Sequence, residues 1–274
     1  MILVNGEVAS EVSARDRGLA YGDGVFRTIA ARDGRPLHWQ RHYQKLAQDC
    51  AVLRLSVPEA SILESEVRVA CGDKSRCAVK IVVTRGVGAR GYAYARDRAV
   101  TRLVIADDAP TYPAAHAQTG VAVRLCALRL AHQPVLAGVK HLNRLENVMA
   151  RAEWEGPDVA EGLLCDADGS VIGGTMSNVF IVSGESLRTP GLDQCGVAGV
   201  TRDRVIEAAA RLGIECRVAP IPWSELLGAG EIFLVNSLAG LWPVRRLEQE
   251  SREPGPITRR LQRALQEEDD AQAR

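Results

Sequence analysis

The stretch from Asp107 to Gly120 limits what this chain can fold into more than any other. It reads Asp-Asp-Ala-Pro-Thr-Tyr-Pro-Ala-Ala-His-Ala-Gln-Thr-Gly, is poor in large aliphatic residues, and carries Pro110 and Pro113. Proline fixes φ and lacks a backbone donor, so this composition suits a linker better than a strand or helix. At 274 residues the chain is also longer than one hydrophobic core usually spans, so two domains are expected. The division is a small N-terminal α+β domain over 1–108, a linker over 109–120, and a larger C-terminal domain over 121–274.

Before the linker, a strand is expected at 2–4, and apolar alternation marks another around 25–31, after the turn Tyr21-Gly22-Asp23-Gly24. Helical spacing of Leu37, Leu46, Cys50 and Leu53 predicts a helix over about 38–53, and Pro58-Glu59 opens a second. Strands at 77–84 and 101–106 complete an α+β pattern. After the linker, strands are expected at 121–125, 163–166, 179–182 and 232–235. Helices are expected at 143–155, 201–212 and 256–268, with Gly213 stopping the middle one.

Charge narrows the partner. Thirty-four basic and 34 acidic residues leave no net charge, which removes the footprint of a general nucleic-acid binder and favours a small molecule. Seven cysteines, an odd number without a CxxC pair, read as reduced thiols, and five histidines lack ligand-like spacing, so no metal is expected. There is neither a signal-peptide pattern nor a long apolar run, so the expected location is the cytoplasm, away from membranes.

Almost all the positive charge is arginine; the only lysines are Lys45, Lys74, Lys80 and Lys140. Lys140 follows the small residues Ala137-Gly138-Val139 and precedes His141-Leu142-Asn143-Arg144, where a loop can hold an amine against a ligand. A partly desolvated amine has its pKa lowered, as a Schiff-base lysine needs. Farther on, Gly196-Val197-Ala198-Gly199-Val200-Thr201-Arg202 runs directly into a helix, so free first-turn amides and the Thr201 hydroxyl suit a phosphate monoester. Asn236-Ser237, after an apolar strand, could close over the same group. A lysine and a phosphate cradle without GxxxxGK[ST] favour pyridoxal phosphate over a nucleotide.

Six stretches carry a family resemblance: Asp16–Phe26, Thr84-Arg85-Gly86 with Gly88-Ala89-Arg90-Gly91-Tyr92, Gly138–Asn147, Gly174–Phe180, Gly199-Val200-Thr201-Arg202, and Asn236-Ser237 before Trp242-Pro243-Val244. In this order and spacing they resemble the fold-type IV pyridoxal-phosphate enzymes, whose two-domain α+β/α/β fold is that of the D-amino-acid aminotransferases. Lys-His-Leu-Asn-Arg-Leu-Glu and the Gly-x-Arg-Gly-Tyr turn resemble the aminodeoxychorismate lyases within that group. These convert 4-amino-4-deoxychorismate to 4-aminobenzoate and pyruvate in folate biosynthesis.

The resemblance implies that Lys140 is the Schiff-base lysine of a pyridoxal 5'-phosphate enzyme. Gly199, Val200, Thr201, Asn236 and Ser237 would bind the cofactor, with Lys45 standing where relatives carry a phosphate-binding arginine. Arg90, Tyr92 and Thr28 are the substrate candidates, with Asn236 beside them, and a homodimer is implied. Gly173 is a second departure from the pattern, standing where relatives carry the glutamate that pairs with the cofactor's ring nitrogen. The alternatives are an aminotransferase of the same fold for D- or branched-chain amino acids or, because of Gly173, a weakly active or non-catalytic cofactor-binding homologue.

Overall fold

The computed structural model describes residues 1–95 and 99–273. It divides into two compact units, one built on Met1–Pro110 with Val139–Asn143, the other on Thr111–Gly138 and Arg144–Asp270. The division at Pro110 falls inside the expected linker, which also holds a short helix. Lys140, expected in the C-terminal domain, packs instead with the first unit.

The first unit contains Ile2–Val4 (β1), Glu7–Val8 (β2), Arg17–Tyr21 (α1), Gly24–Arg32 (β3), Arg35–Pro36 (β4), Trp39–Val52 (α2), Ala60–Cys71 (α3), Arg76–Thr84 (β5) and Thr101–Asp108 (β6). Its strands form one antiparallel sheet in the order β2-β1-β6-β5-β3-β4. Val25, Ile29 and Ala31 of β3 and Val79, Ile81 and Val83 of β5 share a core with Leu46 and Cys50 of α2 and Leu63 and Val67 of α3. Alternation then turns Phe26 and Thr28 to the opposite face.

The second unit contains Ala114–Gln118 (α4), Val121–Leu130 (β7), Leu145–Arg151 (α5), Glu161–Asp166 (β8), Val171–Gly174 (β9), Asn178–Ser183 (β10), Ser186–Thr189 (β11), Val200–Arg211 (α6), Cys216–Val218 (β12), Trp223–Gly228 (α7), Glu231–Asn236 (β13), Gly240–Leu247 (β14), Glu250–Ser251 (β15) and Pro256–Gln272 (α8). The sheet runs β12-β11-β10-β13-β14-β7-β8-β9, with β15 on β14. Its strands β8, β10 and β13 are buried on both faces. Val179 and Ile181 of β10 and Ile232 and Leu234 of β13 point into one core with Leu226 of α7. Phe180, Val182, Phe233 and Val235 point into the other, against α6 and α8. Double burial is why these strands read as continuous apolar runs.

Three expectations change here. The helix expected at 143–155 is only Leu145–Arg151, and β7 runs five residues past the expected end at 125. The central strand β14 was not expected, because Leu241, Trp242, Pro243 and Val244 are all buried and show no alternation. No described helix is long and apolar enough to cross a membrane. All seven cysteines are free, six of them buried.

Phe180 and Phe233 stack at 5.1 Å with both rings fully buried, tying β10 to β13. Phe233→Ala is expected to cost about 3–5 kcal/mol by urea denaturation. A loss below about 1 kcal/mol would show that this core closes over the gap.

Candidate functional site

In the first unit, β4 pairs with β3 only at Ala31 and Arg32, so β4 does not cover the Gly24–Phe26 end of that edge. Residues 140–142 do. Phe26 N–H donates to the Lys140 carbonyl at 2.9 Å, Leu142 N–H donates to the Gly24 carbonyl at 2.9 Å, and His141 bridges Val25. Pairing of an open strand edge therefore sets the lysine's place. Asn143 fills the space where a Cβ on Gly22 would lie, and Gly22 has φ +63°, so glycine is required there on two counts.

The Lys140 side chain is half-buried, and its Nζ stands 4.5 Å from the Phe26 ring centre. The Lys80 Nζ stands 4.9 Å from the same ring. Thr28 pairs directly with Lys80 in the β3–β5 register. The sheet thus brings Lys140, Thr28 and Lys80 to one face. Lys45 lies half-buried on α2.

Arg90 and Tyr92 are exposed, Tyr92 to 86%. Their loop is nevertheless tied from beneath. Asp23 Oδ2 accepts from Arg17 Nε at 2.9 Å and Arg85 Nε at 2.8 Å. Arg17 Nη1 in turn donates to the Gly91 carbonyl at 2.8 Å, and the Tyr21 hydroxyl accepts from Gly91 N–H at 2.9 Å. Burial pushes the Asp23 carboxyl up, but hydrogen bonds from Arg85 and Arg17 outweigh it, so it titrates below its ordinary 3.8.

In the second unit, Gly138 bridges Val197, with Gly138 N–H donating to the Gly196 carbonyl at 3.1 Å and Ala198 N–H to the Gly138 carbonyl at 2.9 Å. Gly196 has φ +88°, and a Cβ there would meet Ile172 Cγ2 at 2.6 Å; at Gly199 it would strike Asn178 Oδ1. Asn178 Nδ2 also donates to the Val197 carbonyl at 2.8 Å. Gly199 caps α6 without a side-chain hydrogen bond, and helix geometry leaves the amides of Val200, Thr201 and Arg202 without intrahelical acceptors. This close-walled turn has the geometry of an anion cradle, with first-turn amides pointing out of the helix. Ser237 sits in the β13–β14 turn, whose amides at Leu238 and Ala239 are held by Asn236 Oδ1 at 3.0 and 2.7 Å. That oxygen is committed to shaping the turn.

Glu161 escaped the sequence reading. Only 1% exposed, its carboxylate accepts from the amides of Gly162, Thr175 and Met176 and from the hydroxyls of Thr175 and Ser177, at 2.5–3.1 Å. It thereby fixes the turn leading to Asn178 and so to the glycine loop. Gly173 is buried in β9, where a Cβ would lie 2.9 Å from the Ser177 carbonyl. His132, Asp166 and Asp168 also converge, a grouping that spacing alone did not reveal. There Asp166 accepts from the amides of Asp168 and Ser170 and lies 3.2 Å from the His132 ring, an arrangement that closes the β8–β9 turn.

Because the folded Asp23 has a lowered pKa, its contribution is full above 3.8 and disappears as pH falls through the folded value. Asp23→Asn is therefore expected to lower Tm at neutral pH, with the gap from the parent closing as pH falls below 3.8. A gap that stayed constant across that range would contradict the clamp.

A match to the family described as amino-transferase class IV spans residues 24–247. An aminodeoxychorismate lyase of Vibrio harveyi is 35% identical over 267 residues, covering 96% of this chain and 98% of its own. A putative branched-chain-amino-acid aminotransferase of Methanocaldococcus jannaschii is 32% identical over 271 residues, covering 95% and 93%. The crystal structure of 4-amino-4-deoxychorismate lyase from Pseudomonas aeruginosa matches with a TM-score of 0.93 at 42% identity, over 97% of this chain and 98% of that one. An Escherichia coli branched-chain amino acid aminotransferase matches at 0.88 with 23% identity, over 100% and 95%, a likeness of fold. The chain belongs to the amino-transferase class IV family.

Proposed function

We propose that the chain is a pyridoxal 5'-phosphate-dependent lyase that converts 4-amino-4-deoxychorismate to 4-aminobenzoate and pyruvate. The observation that carries this reading is the likeness, over at least 96% of the chain, to proteins named as that lyase at 35% and 42% identity. The fit to the cofactor rests on this chain's own groups. Gly196 and Gly199 leave room only for backbone, α6 presents free amides, and Lys140 supplies an amine held by strand pairing. Val200, Thr201 and Ser237 would join Gly199 around the phosphate, Asn236 would shape the turn that offers Ser237, and Lys45 would add a cation without an arginine's fork.

When bound, the cofactor supplies an aldehyde that captures the substrate amine and a ring that withdraws electrons. Lys140 does the proton work. Its Nζ takes the proton from the amine-bearing ring carbon and returns one to the methylene carbon of the departing enolpyruvyl group, so the products are the aromatic amine and pyruvate. Arg90, Tyr92 and Thr28 are assigned to the substrate's carboxylates and polar groups. With Gly173 no side-chain acid stands at that position, and loss of the enolpyruvyl group is helped by formation of the aromatic ring.

We also propose a cytoplasmic homodimer. The free thiols support the compartment. Leu145, Val148 and Met149, at i, i+3 and i+4 on α5, are 70%, 60% and 55% exposed, an apolar stripe suited to a second copy. Val148→Asp is expected to halve the mass in sedimentation equilibrium, and an unchanged mass would move the interface elsewhere.

The assay that tests the function is pyruvate release from 4-amino-4-deoxychorismate with no keto acid present. Release is expected, and Lys140→Ala should slow it at least about 1000-fold. Amino transfer to an added keto acid without pyruvate release would favour the aminotransferase reading, which the 32% identical aminotransferase relative keeps in view.

A further inference from the structure

Two charged residues stand where the folding pattern calls for apolar ones. Alternation along β3 sends Arg27 to the helix-covered side with Val25, Ile29 and Ala31, and Asp49 faces it from the buried side of α2 beside Leu46 and Cys50. Only 2% of Arg27 and 5% of Asp49 is exposed. Arg27 Nη2 is paired with the Asp49 carboxylate and also donates to the Lys45 carbonyl at 3.3 Å. Asp49 Oδ2, the oxygen paired with Arg27, accepts the backbone N–H of Lys140 at 3.2 Å.

Core stability does not account for this pair, since apolar side chains of similar volume commonly serve a buried face as well or better. The pair instead brings an acceptor to a backbone donor. Phe26 already holds the Lys140 carbonyl, and Asp49 takes the N–H, so both polar backbone groups of this residue are fixed while its Nζ lies over the Phe26 ring. Burial pushes the Asp49 carboxyl up and Arg27 opposes that push, so Arg27 preserves the acceptor.

We propose that Asp49, held by Arg27, is a positioning residue for Lys140, fixing the backbone from which the reactive amine is presented. The proposal rests on the reading of Lys140 as the cofactor lysine. It concerns how that lysine is aimed, since Asp49 reaches its backbone and acts through it.

Two readouts on Asp49→Ala, Asp49→Asn and Arg27→Met separate the outcomes: amide hydrogen exchange at Lys140 in cofactor-free protein, and kcat and KM measured separately in the loaded enzyme. Asp49→Ala is expected to speed Lys140 exchange by about tenfold or more. It should also lower kcat by about 100-fold with little change in KM. Asn keeps an acceptor oxygen, so Asp49→Asn should restore most of the protection and part of kcat. If Asp49→Ala does not fold, Arg27→Met is the second variant and should shift both readouts in the same direction.

Unchanged exchange at Lys140, or a kcat loss that follows only a fall in Tm and is not rescued by Asn, would overturn the positioning role. Faster exchange with unchanged kcat would overturn it as well, whereas pyruvate release that survives Lys140→Ala would place the failure on the reading of Lys140.

Discussion

An incompletely paired strand edge governs the lysine's placement. The Gly24–Phe26 end of β3 is left open by β4, and the backbone of residues 140–142 satisfies it. The pairing explains why a segment more than a hundred residues away in sequence packs with the first unit, and why Gly22 must stay small beneath Asn143. It also fixes which face of the sheet receives the amine, because Phe26, its ring partner, points away from the helix-covered core. The Lys140 amine is thus placed by backbone pairing at its carbonyl and by the Asp49 side chain at its N–H.

The buried carboxylates show two solutions to one electrostatic problem. A charge taken out of water must recover its lost hydration from fixed partners. Glu161 does so with amides and hydroxyls, which bind the turn before Asn178 and, through it, the glycine loop. Asp49 does so with Arg27 and the Lys140 amide. Each carboxylate organises backbone that carries a candidate functional group, one in each unit. Asp23, with two arginines, does the same for the loop that displays Arg90 and Tyr92.

Much of this was legible in the chain itself. The glycine run into α6, the small-residue approach to Lys140 and the proline-punctuated break each have a local physical cause, so each could be read without tertiary contacts. Lys80 could not, because its neighbourhood depends on its register opposite Thr28. β14 was missed for a related reason, since burial on both faces erases alternation. Arg27 and Asp49 did leave a signal, as charges in the apolar phase of a strand and a helix, but only the folded chain shows that they answer each other. Glu161 left none, since a glutamate at the start of a strand looks like any surface residue until its donors arrive from the turn after β9.

The central claim is that one lysine of four holds the cofactor, and the scarcity of lysine makes it directly testable. Borohydride reduction of the protein loaded with pyridoxal 5'-phosphate, followed by peptide mapping, reads the attachment point. The account predicts a single reduced phosphopyridoxyl group on Lys140, with Lys45, Lys74 and Lys80 unlabelled. Label on any of those three instead, or a loaded protein that yields no reduced adduct, would contradict it.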